Sequence, residues 1–254
     1  NYALQPMSQE EFVAVVTADQ PEAPPYFATD VALNRSERPT LERSLQRALR
    51  GLSVDEALEA QRQGGQILDV RDPADYAGAH MAGSVNIGLG GDFAPWAGSV
   101  LDMDRPVVII GDLGAEEEAV VRLGRIGFDR VAGFVEGGMQ ALDGRPDLLR
   151  RTQRITPATL AEQLSAAHPP LVLDVRSDGE HRQARIAGSN NIPLGQLNRR
   201  MGELPRGRDM EVHCAGGYRS SVAASLLEQQ RFTRVSDLVG GLAAWQAAGL
   251  ATEG

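Results

Sequence analysis

"LDVRDPADYAGAHMAGSVNI", residues 68–87, has a partner further along the same chain: "LDVRSDGEHRQARIAGSNNI", residues 173–192. Leu-Asp-Val-Arg opens both stretches, Ala-Gly-Ser-x-Asn-Ile closes both, and they align without a gap. A second pair lies downstream of the first. "GFDRVAGFVEGGMQAL", residues 127–142, is echoed by "RFTRVSDLVGGLAAW", residues 231–245. The recurring unit is about 100 residues long, the size of a domain and too large for a solenoid repeat. One fold is therefore written twice.

Each copy alternates strand and helix. "QILDV" (66–70), "VVII" (107–110), "LVLDV" (171–175) and "EVHC" (211–214) are short apolar runs, as strands buried on both faces require. "SVDEALEAQRQGG" opens with a capping box, Ser53 with Glu56, and stops at Gly64 and Gly65. "ITPATLAEQLSAA" opens with Thr156 as N-cap and Pro157 in the first helical position. This alternation predicts an α/β protein of two domains, each a central, mainly parallel sheet flanked by helices on both faces. Residues 1–39 fall outside the repeat, 40–148 form the first copy and 149–254 the second. The polar stretch "DGRPDLLRRTQR" (143–154) is expected to link them. Ahead of the repeat, residues 8–18 predict a short helix, and "PEAPPYF" (21–27) an extended segment too small to bury a core.

The chain carries a net charge of −9, which argues against a nucleic-acid partner. Residues 154–254 hold 11 Arg against 10 acids, while residues 1–153 hold 14 Arg against 24. The second copy is thus nearly neutral and able to admit an anion. No apolar run approaches the roughly 20 residues needed to span a bilayer. The N-terminus has neither the basic start nor the apolar core of a signal peptide. It also lacks an initiator Met, which points to a portion of a longer chain. A single cysteine cannot form an internal disulfide and fits the cytoplasm.

That cysteine, Cys214, sits in "EVHCAGGYRSS" (211–221): a strand end, a Gly-rich loop and a helix expected to start near Ser220. The strand brings the sulfur to the carboxyl edge of the sheet, where open α/β folds place their sites. The backbone N–H groups of Ala215, Gly216, Gly217, Tyr218 and Arg219 are expected to converge on it. The helix dipole and the Arg219 cation add to a field that favours a thiolate, the form nucleophilic sulfur needs. A metal role is poorly supported. His80, His168, His181 and His213 show no ligand spacing and there is no second Cys. His213 is expected to face the opposite side of its strand from Cys214. The Cys-x4-Arg spacing is one residue shorter than the Cys-x5-Arg ring of a cysteine phosphatase, and fits one added sulfur atom better than a tetrahedral oxyanion.

With the "LDVR" strand ends, the "HMAGSVNI" and "RIAGSNNI" stretches, the "CAGGYRS" loop and the closing "GGLAAW", the chain resembles the rhodanese (sulfurtransferase) family over about 200 residues, as two tandem modules. The resemblance implies that Cys214 takes sulfane sulfur from thiosulfate or a low-molecular-weight persulfide and passes it to a thiol, sulfite or cyanide. Cys214 is then the catalytic residue, and residues 215–219 form the active loop that holds the anionic donor. Asp174 and Arg176, at a strand end beside the loop, are expected to support its backbone as an ion pair, with a direct part in the chemistry as the alternative. The first copy departs from the pattern. Aligned on the following helices, Ile110 lies opposite Cys214 and Ala115 opposite Arg219, with Asp112 and Glu116 nearby, so this copy is expected to be inert and either to cover the second copy's site or to position a further upstream domain. The leading "MSQEEFVAVVTADQPEAPPYFATDVALNR" resembles the C-terminal end of metallo-β-lactamase-type persulfide dioxygenases, which can be fused to such modules. This implies an upstream domain holding any iron, and no cofactor or metal in the present chain. A non-catalytic persulfide carrier and, less well matched, a cysteine phosphatase are the alternatives.

Overall fold

A computed structural model describes residues 5–17 and 41–254. The expected extended segment at 21–27, and most of the region set apart as 1–39, lie outside them. Helix α1 (Gln9–Thr17) fits the short helix expected there. Ser8 caps it: the Glu11 amide donates to Ser8 Oγ, and the Ser8 amide donates back to Glu11.

The first module contains α2 (Leu41–Ala48), β1 (Gly51–Leu52), α3 (Val54–Arg62), β2 (Gln66–Asp69), α4 (Pro73–Gly78), β3 (His80–Met81), β4 (Val85–Asn86), α5 (Phe93–Val100), β5 (Val107–Ile110), α6 (Glu116–Arg125), β6 (Val131–Val135) and β7 (Leu149–Arg150). The second contains β8 (Gln153–Ile155), α7 (Pro157–Leu164), β9 (Leu171–Asp174), α8 (Asp178–Gln183), β10 (Asn190–Asn191), α9 (Leu194–Arg200), β11 (Met210–His213), α10 (Tyr218–Gln229), β12 (Val235–Leu238) and α11 (Gly241–Ala247). The local signals hold. Ser53 and Glu56 form the capping box of α3, and Thr156 caps α7 with Pro157 in its first turn.

Each module has a five-stranded sheet, ordered β1-β6-β5-β2-β4 in the first and β8-β12-β11-β9-β10 in the second. Every pairing within these sheets is parallel. Strands β2, β4, β5, β9, β11 and β12 are buried end to end, while β1, β6, β8 and β10 keep partly exposed residues; along each strand alternate residues serve opposite layers. Ile67, Val108 and Ile110 pack on the outer side of the first sheet with Leu52 and Leu142. Leu68 and Ile109 face the other way, into a core that also holds Leu173, Val212 and Cys214 of the second sheet. One apolar layer is therefore shared by both modules, and Cys214 belongs to it.

The stretch expected to be a linker is mostly built into the modules. Leu149 and Arg150 pair antiparallel with Met81 and His80, and Gln153 to Ile155 form an edge strand beside β12. Only Arg151 and Thr152 lie between. Polarity misled here because both strands are short and lie at sheet edges, where one side meets water. No described helix is long and apolar enough to cross a membrane.

Candidate active site

Cys214 follows β11 and is almost wholly enclosed, with 1% of its surface exposed. Gly217, at φ +107°, turns the chain in the left-handed region that glycine tolerates and caps α10. The helix thus begins at Tyr218, two residues before the expected start. Tyr218 and Arg219 therefore supply first-turn amides, which have no intrahelical acceptor. The Gly217 amide donates to Cys214 Sγ at 3.1 Å, and Ser220 Oγ lies 3.7 Å from the same sulfur. Outside the helix, no acceptor among the described residues takes the amides of Ala215, Gly216, Tyr218 or Arg219. Of the five expected cradle amides, one meets the sulfur and four are left uncommitted.

The loop is fixed from behind. Helix α11 starts with Gly240 and Gly241, at φ +71° and +56°. The amides of Leu242 and Ala243 donate to the carbonyls of Cys214 and Ala215 at 2.8 and 3.0 Å. With these carbonyls held outward, the amides of the same peptides are left facing the other way. A Cβ on Gly241 would collide with the Cys214 carbonyl. The "GG" of "GGLAAW" is thus part of the site's construction, a role its sequence alone does not reveal.

Asp174 and Arg176 form the expected ion pair, with Arg176 Nη2 2.5 Å from Asp174 Oδ2 and both side chains buried. Arg176 also donates to the Ala184 carbonyl. Asp174 takes in addition the ring Nδ1 of His181 at 3.0 Å, and His213 Nε2 lies 3.7 Å away. Burial pushes the Asp174 carboxyl up, but the bond from Arg176, the charge of the His213 ring and the bond from His181 outweigh it and hold it below the usual range. His213 is buried against Asp174, on the side of the strand away from the sulfur, as the strand period predicts. Burial lowers its basicity.

Arg219 differs from expectation. It lines the cavity above Cys214, but its guanidinium is not a free cation. It donates to both carboxylate oxygens of Glu180, at 2.7 and 2.8 Å. Glu180 also completes a capping box with Ser177 at the start of α8. The bond from Arg219, followed by the Ser177 amide, overcomes burial and brings the Glu180 carboxyl down to about 2. Sequence reading missed Glu180, although Ser177-x-x-Glu180 is a visible capping box.

The cavity holds about 410 Å³ and is lined by Cys214, Gly216, Tyr218 and Arg219 from the second module and by Gly90, Gly91, Asp92 and Trp96 from the first. Tyr218 Oη donates to the Gly88 carbonyl at 2.7 Å. Deeper in the interface, Ser221 Oγ donates to Asn86 Oδ1 at 2.8 Å, and the Asn86 amide donates to Ser225 Oγ at 3.0 Å. The helix behind the Cys214 loop is thus clamped against β4 of the first module.

A rhodanese-like domain pattern matches the chain twice, over residues 53–144 and 156–248. The chain belongs to the rhodanese-like family. Among curated relatives, it is 35% identical over 92 residues to a sulfurtransferase of Allochromatium vinosum, spanning 36% of this chain and 86% of that protein. It is 33% identical over 106 residues to the adenylyltransferase and sulfurtransferase MOCS3-1 of Zea mays, spanning 39% of this chain and 23% of that one. Among solved structures, a rhodanese-related protein from Thermoplasma volcanium is 34% identical, with a TM-score of 0.37, covering 40% of this chain and 97% of that one.

Within this family frame the first module shows what replaces the sulfur. Sheet register pairs Asp69 with Ile110 and Asp174 with His213, so Gly111 stands opposite Cys214, one residue later than the helix-based alignment places it. The helices keep the other offset, because Phe128 and Phe232 close them through matching bonds to Leu123 and Leu227. The first loop is therefore one residue shorter. Glu116 is buried beneath it and accepts the Gly114 amide at 2.8 Å, the kind of bond Sγ receives in the second module. Asp69 and Arg71 repeat the buried ion pair, with Nη2 and Oδ2 2.6 Å apart.

Proposed function

We propose that this rhodanese-like chain is a sulfurtransferase with one working site. In this reading Cys214 receives sulfane sulfur from thiosulfate or a low-molecular-weight persulfide and hands it to a thiol, sulfite or cyanide. The observation that carries the reading is the Gly217 amide on Cys214 Sγ at 3.1 Å, at the start of a helix and in the wall of a cavity. A hydrogen bond and a helix N-terminus both stabilise negative charge on sulfur. The Cys214 thiolate attacks the outer sulfur of the donor. The donor's S–S bond breaks, and its pair of electrons leaves with sulfite or with a thiolate. The persulfide left on Cys214 extends toward the uncommitted amides of Ala215, Gly216, Tyr218 and Arg219, which spread its charge. An incoming thiol then attacks the outer sulfur and restores the Cys214 thiolate, a double displacement.

Arg219 acts in this scheme mainly as a brace. Its pairing with Glu180 ties the loop to α8, and its amide remains for the sulfur. Asp174 and Arg176 hold the neighbouring strand end and do not touch the sulfur. The first module serves as a wall of the site. The boundaries 40–148 and 149–254, the descent of residues 1–39 from a metallo-β-lactamase-type persulfide dioxygenase domain, a role in sulfide metabolism and a cytoplasmic setting are parts of the same proposal. They rest on the resemblance of the quoted motifs.

Steady-state transfer from thiosulfate to cyanide and from a persulfide to a thiol tests the reading. Parallel initial-rate lines in a two-substrate analysis, lost in Cys214→Ser, are expected. Turnover unchanged in Cys214→Ser refutes it.

A further inference from the structure

We propose that Asp92, supplied by the catalytically silent first module, selects the sulfur donor, favouring a persulfide that carries an ammonium group over the thiosulfate dianion. The inference rests on the sulfur-transfer reading above and names its donor class.

Charge around the cavity carries it. Among the described residues that line the cavity, the cation is Arg219, and both of its terminal nitrogens are spent on Glu180. Asp92 lines the same cavity without such neutralisation: no ion pair or hydrogen bond engages its carboxylate among the described residues. It occupies the N-cap position of α5 yet makes no side-chain capping bond, a bond that Asp at this position commonly forms. The helix is thus not using this carboxylate. Counting Arg219 and Glu180 as cancelling, the wall is left with the negative charge of Asp92, and Cys214 adds a second as thiolate. A dianion entering here meets like charge, whereas an ammonium meets opposite charge.

The second wall residue agrees. Trp96, half-buried, lines the cavity beside Asp92. An indole face attracts cations as well as apolar stems. The loop that presents both residues is held in place. Tyr218 donates to the Gly88 carbonyl, Arg122 donates to the Leu89 carbonyl at 2.6 Å, and a Cβ on Gly91 would strike the Tyr218 ring. The backbone that presents Asp92 is therefore fixed at the cleft, and its carboxylate is exposed there.

The chemistry balances. The Cys214 thiolate attacks the terminal sulfur of R–S–SH, the S–S bond of the donor breaks, and R–S⁻ leaves with the electron pair. The proton stays on the transferred sulfur, and Cys214 becomes Cys–S–SH. Asp92 acts on the distal ammonium of R and takes no part in bond breaking.

The test compares three donors on the full chain: cysteamine persulfide (ammonium), N-acetylcysteamine persulfide (neutral) and thiosulfate (dianion). In the unsubstituted chain, kcat/KM is expected to be highest for cysteamine persulfide. Asp92→Asn should lower the ratio of cysteamine persulfide to its N-acetyl analogue by roughly fivefold, about 1 kcal/mol of a partly exposed ion pair. It should also raise kcat/KM for thiosulfate, and added salt should shrink both effects. The loss should appear in KM, since Asp92 does not touch the reacting sulfur. Ratios unchanged in Asp92→Asn, with Cys214-dependent turnover intact, overturn the Asp92 assignment and leave sulfur transfer standing. No Cys214-dependent transfer from any of the three donors overturns both. Asp92→Glu, which keeps the charge, should retain the preference; its loss there as well as in Asp92→Asn would mean a packing role and refute the proposal.

Discussion

Gly241→Ala should damage chemistry and stability together, and its mirror, Gly138→Ala, should damage stability alone. Gly241 has φ +56° and Gly138 +55°. Placing an L side chain in this left-handed region costs about 1–2 kcal/mol. Each new Cβ also meets a backbone carbonyl, that of Cys214 in one module and of Gly111 in the other. The Leu242 amide holds the Cys214 carbonyl in place, so the sulfur loop must shift. The combined cost is roughly 2–4 kcal/mol in each case. In the second module the shift moves the Cys214–Gly217 backbone, and a misplacement of about 1 Å at a reacting centre costs on the order of a hundredfold in rate. The assay is urea unfolding of both variants, followed by sulfur-transfer kinetics under conditions where each is folded. Similar losses of stability, with a rate loss of about a hundredfold in Gly241→Ala and less than threefold in Gly138→Ala, are expected. Equal activity in the two variants would refute the claim that α11 positions the sulfur loop.

Three further outcomes follow from the geometry. Burial pushes Glu211 up to about 7, opposed by a bond from Ser236 and helped by the charges of Asp209 and Asp237. The folded chain therefore holds a proton that the unfolded chain releases near 4.5, so stability should fall as pH rises from about 4.5 to about 7. Glu211→Gln should flatten that slope and, allowing for water in the adjoining cavity, stabilise the chain by about 1–2 kcal/mol at pH 8 in urea titrations. Asn86→Ala removes the partner of Ser221 and the donor to the Asp69 and Arg71 carbonyls, and should cost about 2–4 kcal/mol by the same measurement. Tyr218→Phe loses the bond to Gly88 and should raise KM for every donor while costing about 1 kcal/mol of stability.

The repeat, the apolar strands and the caps at Ser53 and Thr156 were legible because each is a local pattern with one structural meaning. The Cys214 loop was legible for the same reason: a lone thiol between a strand and two glycines has few alternatives. What stayed hidden depends on contacts between distant residues. Nothing near Arg219 announces Glu180 as its partner. Nothing in "SVNIGLGGDFAPW" says that Asp92 and Trp96 will face Cys214. That becomes visible only when β4 packs on α10. The one-residue slip at Gly111 arose because helix and strand offsets differ, and a single alignment follows only one of them.

Mass spectrometry of the intact chain after a brief exposure to donor tests the central claim most directly. The account predicts a gain of about 32 Da, one sulfur atom, on the peptide containing Cys214. A thiol should remove it, and Cys214→Ser should never acquire it. A chain that turns over donor while Cys214 stays unmodified, or that is modified at another residue, contradicts the account.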